Sequence, residues 1–375
     1  MPHSIIQAPG VLTTLLAFVL VLGPLVFIHE LGHYLVGRWF GVKAECFAIG
    51  FGKELFGWTD KRGTRWKLCA LPLGGYVQFA GDMNPSSQPD PAWLALPAAE
   101  REKTFPAKPL WQRALIVLAG PATNFLVAIA ILASFNLAYG KLVAPAVIGN
   151  VQPASVAERA GLKIGDKVLT LNGNTVNGFD DIRLYVGEHP GARVDMTVDR
   201  AGQRLPLSMQ AEDKVLKDDF GNETRIGFIG IGVSNVQFVP VGPIEAVTLA
   251  CSQTRGIVGM MVTGIGQIVT GQRAVKELGG PIKIAKFSGE QMALGWQSFV
   301  GFAALISINL GFINLLPIPI LDGGHLAFYA AEAVRRKPVS QRGQEWAFRT
   351  GLAFVVALML FVTVNDLTSL KMFGG

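Results

Sequence analysis

The sequence predicts a mainly α polytopic membrane protein: four transmembrane helices, a membrane-associated β-hairpin region, and one soluble α+β domain inserted between the second and third spans. Three observations predict it. Half of the 375 residues are hydrophobic and only 16% are charged, a balance that suits neither a disordered chain nor an ordinary soluble one. Four apolar stretches, near 11–28, 114–139, 299–321 and 351–364, approach or reach the ~20 residues that cross a bilayer core. Between the second and third of these, residues 141 to 212 change to the alternation, turns and charges of a soluble domain.

The first span, placed within residues 1–37, contains Val11 to Ile28 without one charged side chain. No Lys or Arg precedes it and no small-residue cleavage site follows, so it reads as a retained span and not as a signal peptide. Pro24 removes one of its backbone hydrogen bonds. The span closes on FIHELGHY, Phe27 to Tyr34. His29 and His33, four residues apart, lie on one helix face about one turn from each other, so both rings reach one ion. Glu30 sets a carboxylate beside them. H-E-x-x-H thus offers two neutral zinc ligands and a proton-transfer group next to the metal's water, the minimum for metal-assisted peptide hydrolysis. The competing reading is a helix whose polar residues fall in register by chance. It leaves unexplained an ionisable group at the end of an apolar span, where charges at mid-membrane cost roughly 2.5 to 3.5 kcal/mol.

Residues 38–112 form a β-rich loop and connector. Phe56, Trp58, Trp66, Leu68 and Val77 sit among turn formers, with DKRG at 60–63 as a hairpin turn and LGGY at 73–76 as a second break. Residues 83 to 109 read as an exposed connector. An open strand edge here, around Gly74 and Gly75, suits pairing with an extended substrate; a plain hairpin packed under the helices is the alternative. The second span, 113–140, contains AGPATNF at 119–125. Its Gly120, Ala122 and Ala128 admit close helix approach, and Asn124 is expected to face protein and hydrogen-bond between helices.

Within 141–212, the run PASVAERAGLKIGDKVLTLNG, Pro153 to Gly173, resembles the signature of the PDZ fold: a short helix, a Gly-containing turn and a strand in that order. VDMTVDR and LPLSMQ flank an Ala201-Gly202 turn. The resemblance implies capture of peptide termini by strand addition. Residues 213–297 read as a linker and an interfacial amphipathic region, because Glu245, Gln253, Arg255 and Gln267 interrupt the apolar run from Pro243 to Gly271. The third span, 298–325, ends in INLLPIPILDGGH; a loop at 326–348 and a fourth span, 349–375, complete the chain.

A catalytic zinc usually takes three protein ligands and a water. His3 lies at the far end of the first span and His189 in the soluble domain, so the third ligand is sought at the third span. Asp322 closes that span and is followed by two glycines that permit close backbone approach; His325 is the other candidate there. HELGH and LDGG reach the same depth only if an odd number of spans separates them, which argues for keeping 243–271 at the surface.

Arg38, Lys43, Lys53, Arg101, Lys103, Lys108 and Arg113 flank the first loop, and Arg335, Arg336, Lys337, Arg342 and Arg349 fill the last, so both are expected in the cytoplasm and the soluble domain outside. Lys283 and Lys286 run against that pattern. The net charge of +6 comes from these loops, without a basic face interleaved with aromatics, which argues against nucleic acid as a partner. Cys46, Cys69 and Cys251 have no C-x-x-C spacing and read as small apolar residues.

Together HELGH, AGPATNF, the PDZ-like run, LGGPIKIAK at 278–286 and NLLPIPILDGG at 314–324 resemble the site-2 protease family, specifically its bacterial RseP-like branch, across nearly the whole chain. The resemblance implies a zinc-dependent intramembrane protease of the bacterial inner membrane. Such an enzyme cuts transmembrane segments of single-span proteins, commonly anti-sigma factors, after another protease has trimmed them. By motif it implies His29, His33 and Asp322 as zinc ligands, Glu30 as catalytic acid and base, Asn314 as a substrate contact, and substrate strand addition in the 44–80 region. Well-known members of the branch carry two PDZ domains, whereas this chain has room for one. The competing function is a membrane-tethered PDZ scaffold with a structural or vestigial metal site, against which the retention of Glu30 counts.

Overall fold

The structure, a computed structural model, describes residues 10–81, 95–217, 223–234, 236–271 and 279–369. Residues 83–94 of the expected connector, His3, Leu278 of LGGPIKIAK and positions 370–375 of the expected fourth span lie outside the described residues. The chain divides into two compact units, one drawn from Met1–Leu132, Ala250–Ile265 and Leu278–Gly375, the other from Ala133–Leu249 and Gly266–Glu277.

The first unit begins with α1 (Val11–Trp39), whose buried residues Ala17, Val21, Leu25, His29, His33 and Gly37 recur every fourth position. This spacing makes one stripe along the helix. The two histidines therefore continue the apolar face that α1 turns toward protein. A hairpin follows, β1 (Ala44–Thr59) with β2 (Arg65–Phe79). Asp60 makes the turn: its Oδ1 accepts from the N–H groups of Arg62 and Thr64. The LGGY stretch does not end a strand, as the sequence suggests, but bends one. Gly74 takes φ +123°, and Phe47 stands opposite both Val77 and Trp66, so the two halves of β2 flank the start of β1. Tyr34 of α1 meets this sheet edge-on at Phe47 and Trp66, which fixes the hairpin against the histidine-bearing turn.

Beyond α2 (Ala98–Arg101), α3 (Leu110–Tyr139) carries AGPATNF. A Cβ on Gly32 would lie 2.4 Å from Thr123 Oγ1 and 2.6 Å from the Ala119 carbonyl oxygen, so α1 and α3 touch backbone to backbone.

The second unit is α+β. It contains β3 (Lys141–Val143), β4 (Ile148–Val151), α4 (Val156–Arg159), β5 (Lys167–Leu171), β6 (Asn174–Thr175), α5 (Phe179–Glu188), β7 (Arg193–Arg200), β8 (Gln203–Gln210), β9 (Glu212–Lys217), β10 (Glu223–Phe228), β11 (Ile231–Val233) and β12 (Gln237–Val239). Its central sheet has the order β6-β5-β7-β8. The expected helix, glycine turn and strand are α4, Gly161 to Gly165 and β5. Ser155 caps α4 by accepting from the Glu158 N–H. Val194, Met196 and Val198 alternate inward along β7 onto Ile148, Val168 and Ile182.

Buried Asp166 is bridged by Arg200, whose Nε and Nη2 lie 2.7 Å from its two oxygens. Burial alone would raise this carboxyl, but the bonds from Arg200 and the Lys163 N–H outweigh it and hold the group below the ordinary carboxylate value. The sequence ends the domain at 212. The structure carries it to Val239, because β11 pairs with β4 and β12 with β3. These closing strands are short and their partners lie some 80 to 100 residues earlier, so no local pattern announces them.

The chain returns through α6 (Pro243–Val269), α7 (Pro281–Ala293), α8 (Trp296–Asn314), α9 (Asp322–Arg335) and α10 (Gln341–Ser369). Among the described residues four helices are long and apolar enough to cross a membrane: Val11–Trp39, Leu110–Tyr139, Trp296–Asn314 and Arg342–Leu367. The protein is a multi-pass membrane protein, and α6 is not one of these four. Ile257, Val258 and Met261 of α6 pack against buried Ala128, Ala304 and Ile308. In α7, Ile284 and Met292 pack against Ala17, Val21 and Leu25 of α1. Its N-terminus is capped from α10, where buried Asp366 accepts from the Gly280 and Lys283 N–H groups at 3.0 and 3.1 Å.

The expected span 298–325 is not one helix. α8 stops at Asn314 and Asp322 opens α9, because Pro317 and Pro319 deny helical hydrogen bonds to the intervening loop. Gly323 and Gly324 let the first turn of α9 press on that loop: a Cβ on either would stand 2.3 Å from a carbonyl oxygen, of Leu315 or Ile318.

Candidate active site

The stripe on α1 and the first turn of α9 meet in one place. His29 Nε2 and His33 Nε2 are 3.3 Å apart. Asp322 Oδ2 lies 3.2 Å from the first and 3.5 Å from the second. Among the described residues these three form the one group of His, Cys, Asp and Glu side chains close enough to share an ion, with a ligand atom from each within 4.8 Å of the others.

Hydrogen bonding tests whether a cation fits. His33 Nδ1 lies 2.8 Å from the Ile116 carbonyl oxygen, which only accepts, so Nδ1 carries the proton of the neutral ring and Nε2 keeps its lone pair. That lone pair faces Asp322 Oδ2, a buried oxygen without a hydrogen-bond partner. Acceptors aimed at acceptors in a buried site are reconciled by a cation between them, and two imidazoles with one carboxylate suit zinc.

A cavity of about 210 Å³ opens on this trio, lined also by Glu30, Gly75, Asn314 and His325. Glu30 projects beside its neighbour His29 and is buried; a Cβ on Gly75 would meet its Cγ at 2.9 Å. β2 thus brings backbone to the carboxylate at a position where only glycine fits. Gly74, expected alongside Gly75, is not in the cavity wall and faces the Phe51 ring. His325 borders the cavity but stands outside the trio, with its ring 5.2 Å from that of Phe348.

α3 contributes more than the helix-packing role read from its sequence. A Cβ on Gly120 would stand 2.2 Å from His33 Nε2 and 2.9 Å from His29 Cε1, so this glycine makes room for both rings. Ile116 holds His33, and fully buried Asn124 places Nδ2 3.2 Å from His29 Nδ1. Positions 116, 120 and 124 lie on one helix face. Their four-residue spacing matches that of the histidines, and that match was the signal available in the sequence.

The sequence profile of "Peptidase family M50" matches residues 17–358. The chain belongs to peptidase family M50. It is therefore a metalloprotease of the site-2 protease type, which uses zinc, acts on membrane proteins and sits in the lipid bilayer. An Agrobacterium fabrum protein named, provisionally, a zinc metalloprotease is 44% identical over 374 residues, covering 98% of this chain and 99% of its own length. A Rhizobium meliloti protein of similar name is also 44% identical, covering 94% and 96%. Metalloprotease MmpA of Caulobacter vibrioides is 34% identical, covering 97% and 98%. A solved PDZ domain from Listeria monocytogenes aligns with 24% of this chain and 87% of that one at 16% identity, with a TM-score of 0.19.

Proposed function

We propose that this M50 protease carries out regulated intramembrane proteolysis. His29, His33 and Asp322 hold the zinc and Glu30 moves the proton. The observation that carries the assignment is the unpartnered Asp322 Oδ2 facing two imidazole nitrogens on the buried stripe of α1. When bound, zinc polarises the scissile carbonyl and makes water nucleophilic near neutral pH. Glu30 accepts the proton of the attacking water and returns it to the leaving amine. His33 is oriented for its role by the Ile116 carbonyl.

A helical substrate keeps its carbonyls hydrogen-bonded, so a segment must unwind before it is cut. The edge of β2 at Gly75, against Glu30, is where we place the unwound strand, with Asn314 as a further contact across the cavity. We take the substrates to be single-span proteins of the anti-sigma-factor kind, trimmed beforehand by another protease.

Residues 141–239 are read as one PDZ domain between the second and third spans. The α4, glycine turn and β5 order supports this reading. The domain faces the periplasm of an inner-membrane enzyme, since the basic loops at 38–113 and 335–349 mark the cytoplasmic side. It engages peptide termini and excludes substrates with bulky outer portions.

The test is cleavage of a single-span reporter by wild type and by Glu30→Gln with zinc content measured in both. Loss of cleavage with zinc retained is expected. Equal cleavage removes the chemistry from this site.

A further inference from the structure

His33 has an acceptor for its Nδ1–H in Ile116, whereas the equivalent nitrogen of His29 faces a side chain able to turn either end toward it. Asn124 is wholly buried. Its Nδ2 points at His29 Nδ1 from 3.2 Å while its Oδ1 is buried with no hydrogen-bond partner. Two facts limit how the pair can be arranged once a metal is held. His29 Nε2 is the nitrogen turned toward Asp322 Oδ2, at 3.2 Å. If Nε2 supplies its lone pair to the metal, the ring proton sits on Nδ1, and an N–H there facing an N–H of Asn124 sets donor against donor. A half-turn of the carboxamide about its Cβ–Cγ bond removes the conflict. It exchanges the two ends, puts Oδ1 where it accepts from His29 Nδ1–H, and gives the orphaned oxygen its partner.

The backbone at this point is held independently of the side chain, because Ser307 Oγ donates to the Asn124 carbonyl oxygen at 2.7 Å. The carboxamide therefore turns on a fixed support.

We propose that Asn124 is the positioning residue for His29: its Oδ1 accepts the Nδ1–H, fixes the tautomer and ring plane, and so presents Nε2 to the metal. α3 then serves both ligands from one face, through Ile116 for His33 and Asn124 for His29, with Gly120 leaving room between them. The inference rests on the zinc site proposed above and adds to it a third helix that sets ligand geometry.

The test is zinc affinity, read by chelator competition on the full-length protein in detergent. Asn124→Leu keeps the volume and removes the acceptor; Asn124→Asp keeps the acceptor. We expect Asn124→Leu to bind zinc about 10- to 100-fold more weakly, the usual loss when an outer hydrogen bond to a metal-bound histidine is removed. Asn124→Asp should hold zinc as wild type does. Wild-type affinity in Asn124→Leu overturns the proposal. Equal losses in both variants overturn it too, because they mark a packing role. Should the Leu variant not fold, Asn124→Ala is compared with Asn124→Asp by the same criteria. Wild-type protein that takes up no zinc overturns the metal site itself, a result distinguishable from zinc-bound variants that match wild type.

Discussion

Gly120 faces His33 so closely that a Cβ on it would stand 2.2 Å from Nε2. Even the smallest side chain there displaces a ring that must meet His29 and Asp322 at one point. Gly120→Ala is expected to lower proteolysis by about 100-fold, the order of loss that a displacement near 1 Å produces in a catalytic constellation. Zinc content and reporter cleavage measured together check this, with both expected to fall. An active, zinc-replete alanine variant would show that the rings have slack.

Gly75 offers a contrasting case. A Cβ there would meet Glu30 Cγ at 2.9 Å and the Ala48 carbonyl oxygen at 2.8 Å, and the three atoms nearest it include none from the metal trio. Gly75→Ala is therefore expected to keep zinc while losing cleavage by about 100-fold, since Glu30 or the substrate edge must shift. Zinc lost in step with activity would mean that β2 supports the ligands and not the proton-transfer group.

Asp166 and Arg200 predict how the second unit responds to acid. The folded carboxyl sits below its ordinary value, so its contribution is present above the unfolded value of ~3.9 and is lost as pH falls through the lower folded one. Asp166→Asn is expected to destabilise the fold around β5 and β7 at neutral pH, because half-buried Arg200 loses its charged partner. The deficit should narrow as the pH is taken below ~3.9. Amide exchange across β5 and β7 in the intact protein reads it. A deficit that does not change with pH would assign the effect to packing.

Asp366 caps α7 from a transmembrane helix, with two backbone N–H groups bound to a carboxylate that is fully buried. Asp366→Ala leaves those donors in place without their acceptor, at an expected cost of about 1–3 kcal/mol. Faster amide exchange at residues 282–285, with α1 unchanged, is the predicted signature. Unaltered exchange would show that Pro281 and packing on α1 define the start of α7 without it.

The parts of this protein legible in its sequence are those where local chemistry decides. Apolar length fixes four membrane helices, and the four-residue step from His29 to His33 fixes a shared face. Pro317 and Pro319 stood in plain view, yet the apolar run around them hid that α8 ends at Asn314 and that Asp322 begins another helix. Gly74 and Gly75 look equivalent in LGGY, but φ of +123° at Gly74 turns it to Phe51 and leaves only Gly75 in the cavity wall. Asn124 reads as a generic interhelical polar residue because the ring it meets is 95 residues away in the chain. The four-residue spacing of 116, 120 and 124 puts them on one face, but which rings that face meets is set by how the helices pack.

The proposed zinc site needs two distant segments to share one ion through His29, His33 and Asp322. Its most direct test is the zinc content of purified wild type and Asp322→Ala, with X-ray absorption at the zinc edge reporting the ligands. Wild type is expected to hold zinc through two imidazoles and oxygen, and the variant to lose both zinc and proteolysis. Asp322→Ala that keeps its zinc and still cuts the reporter would contradict it.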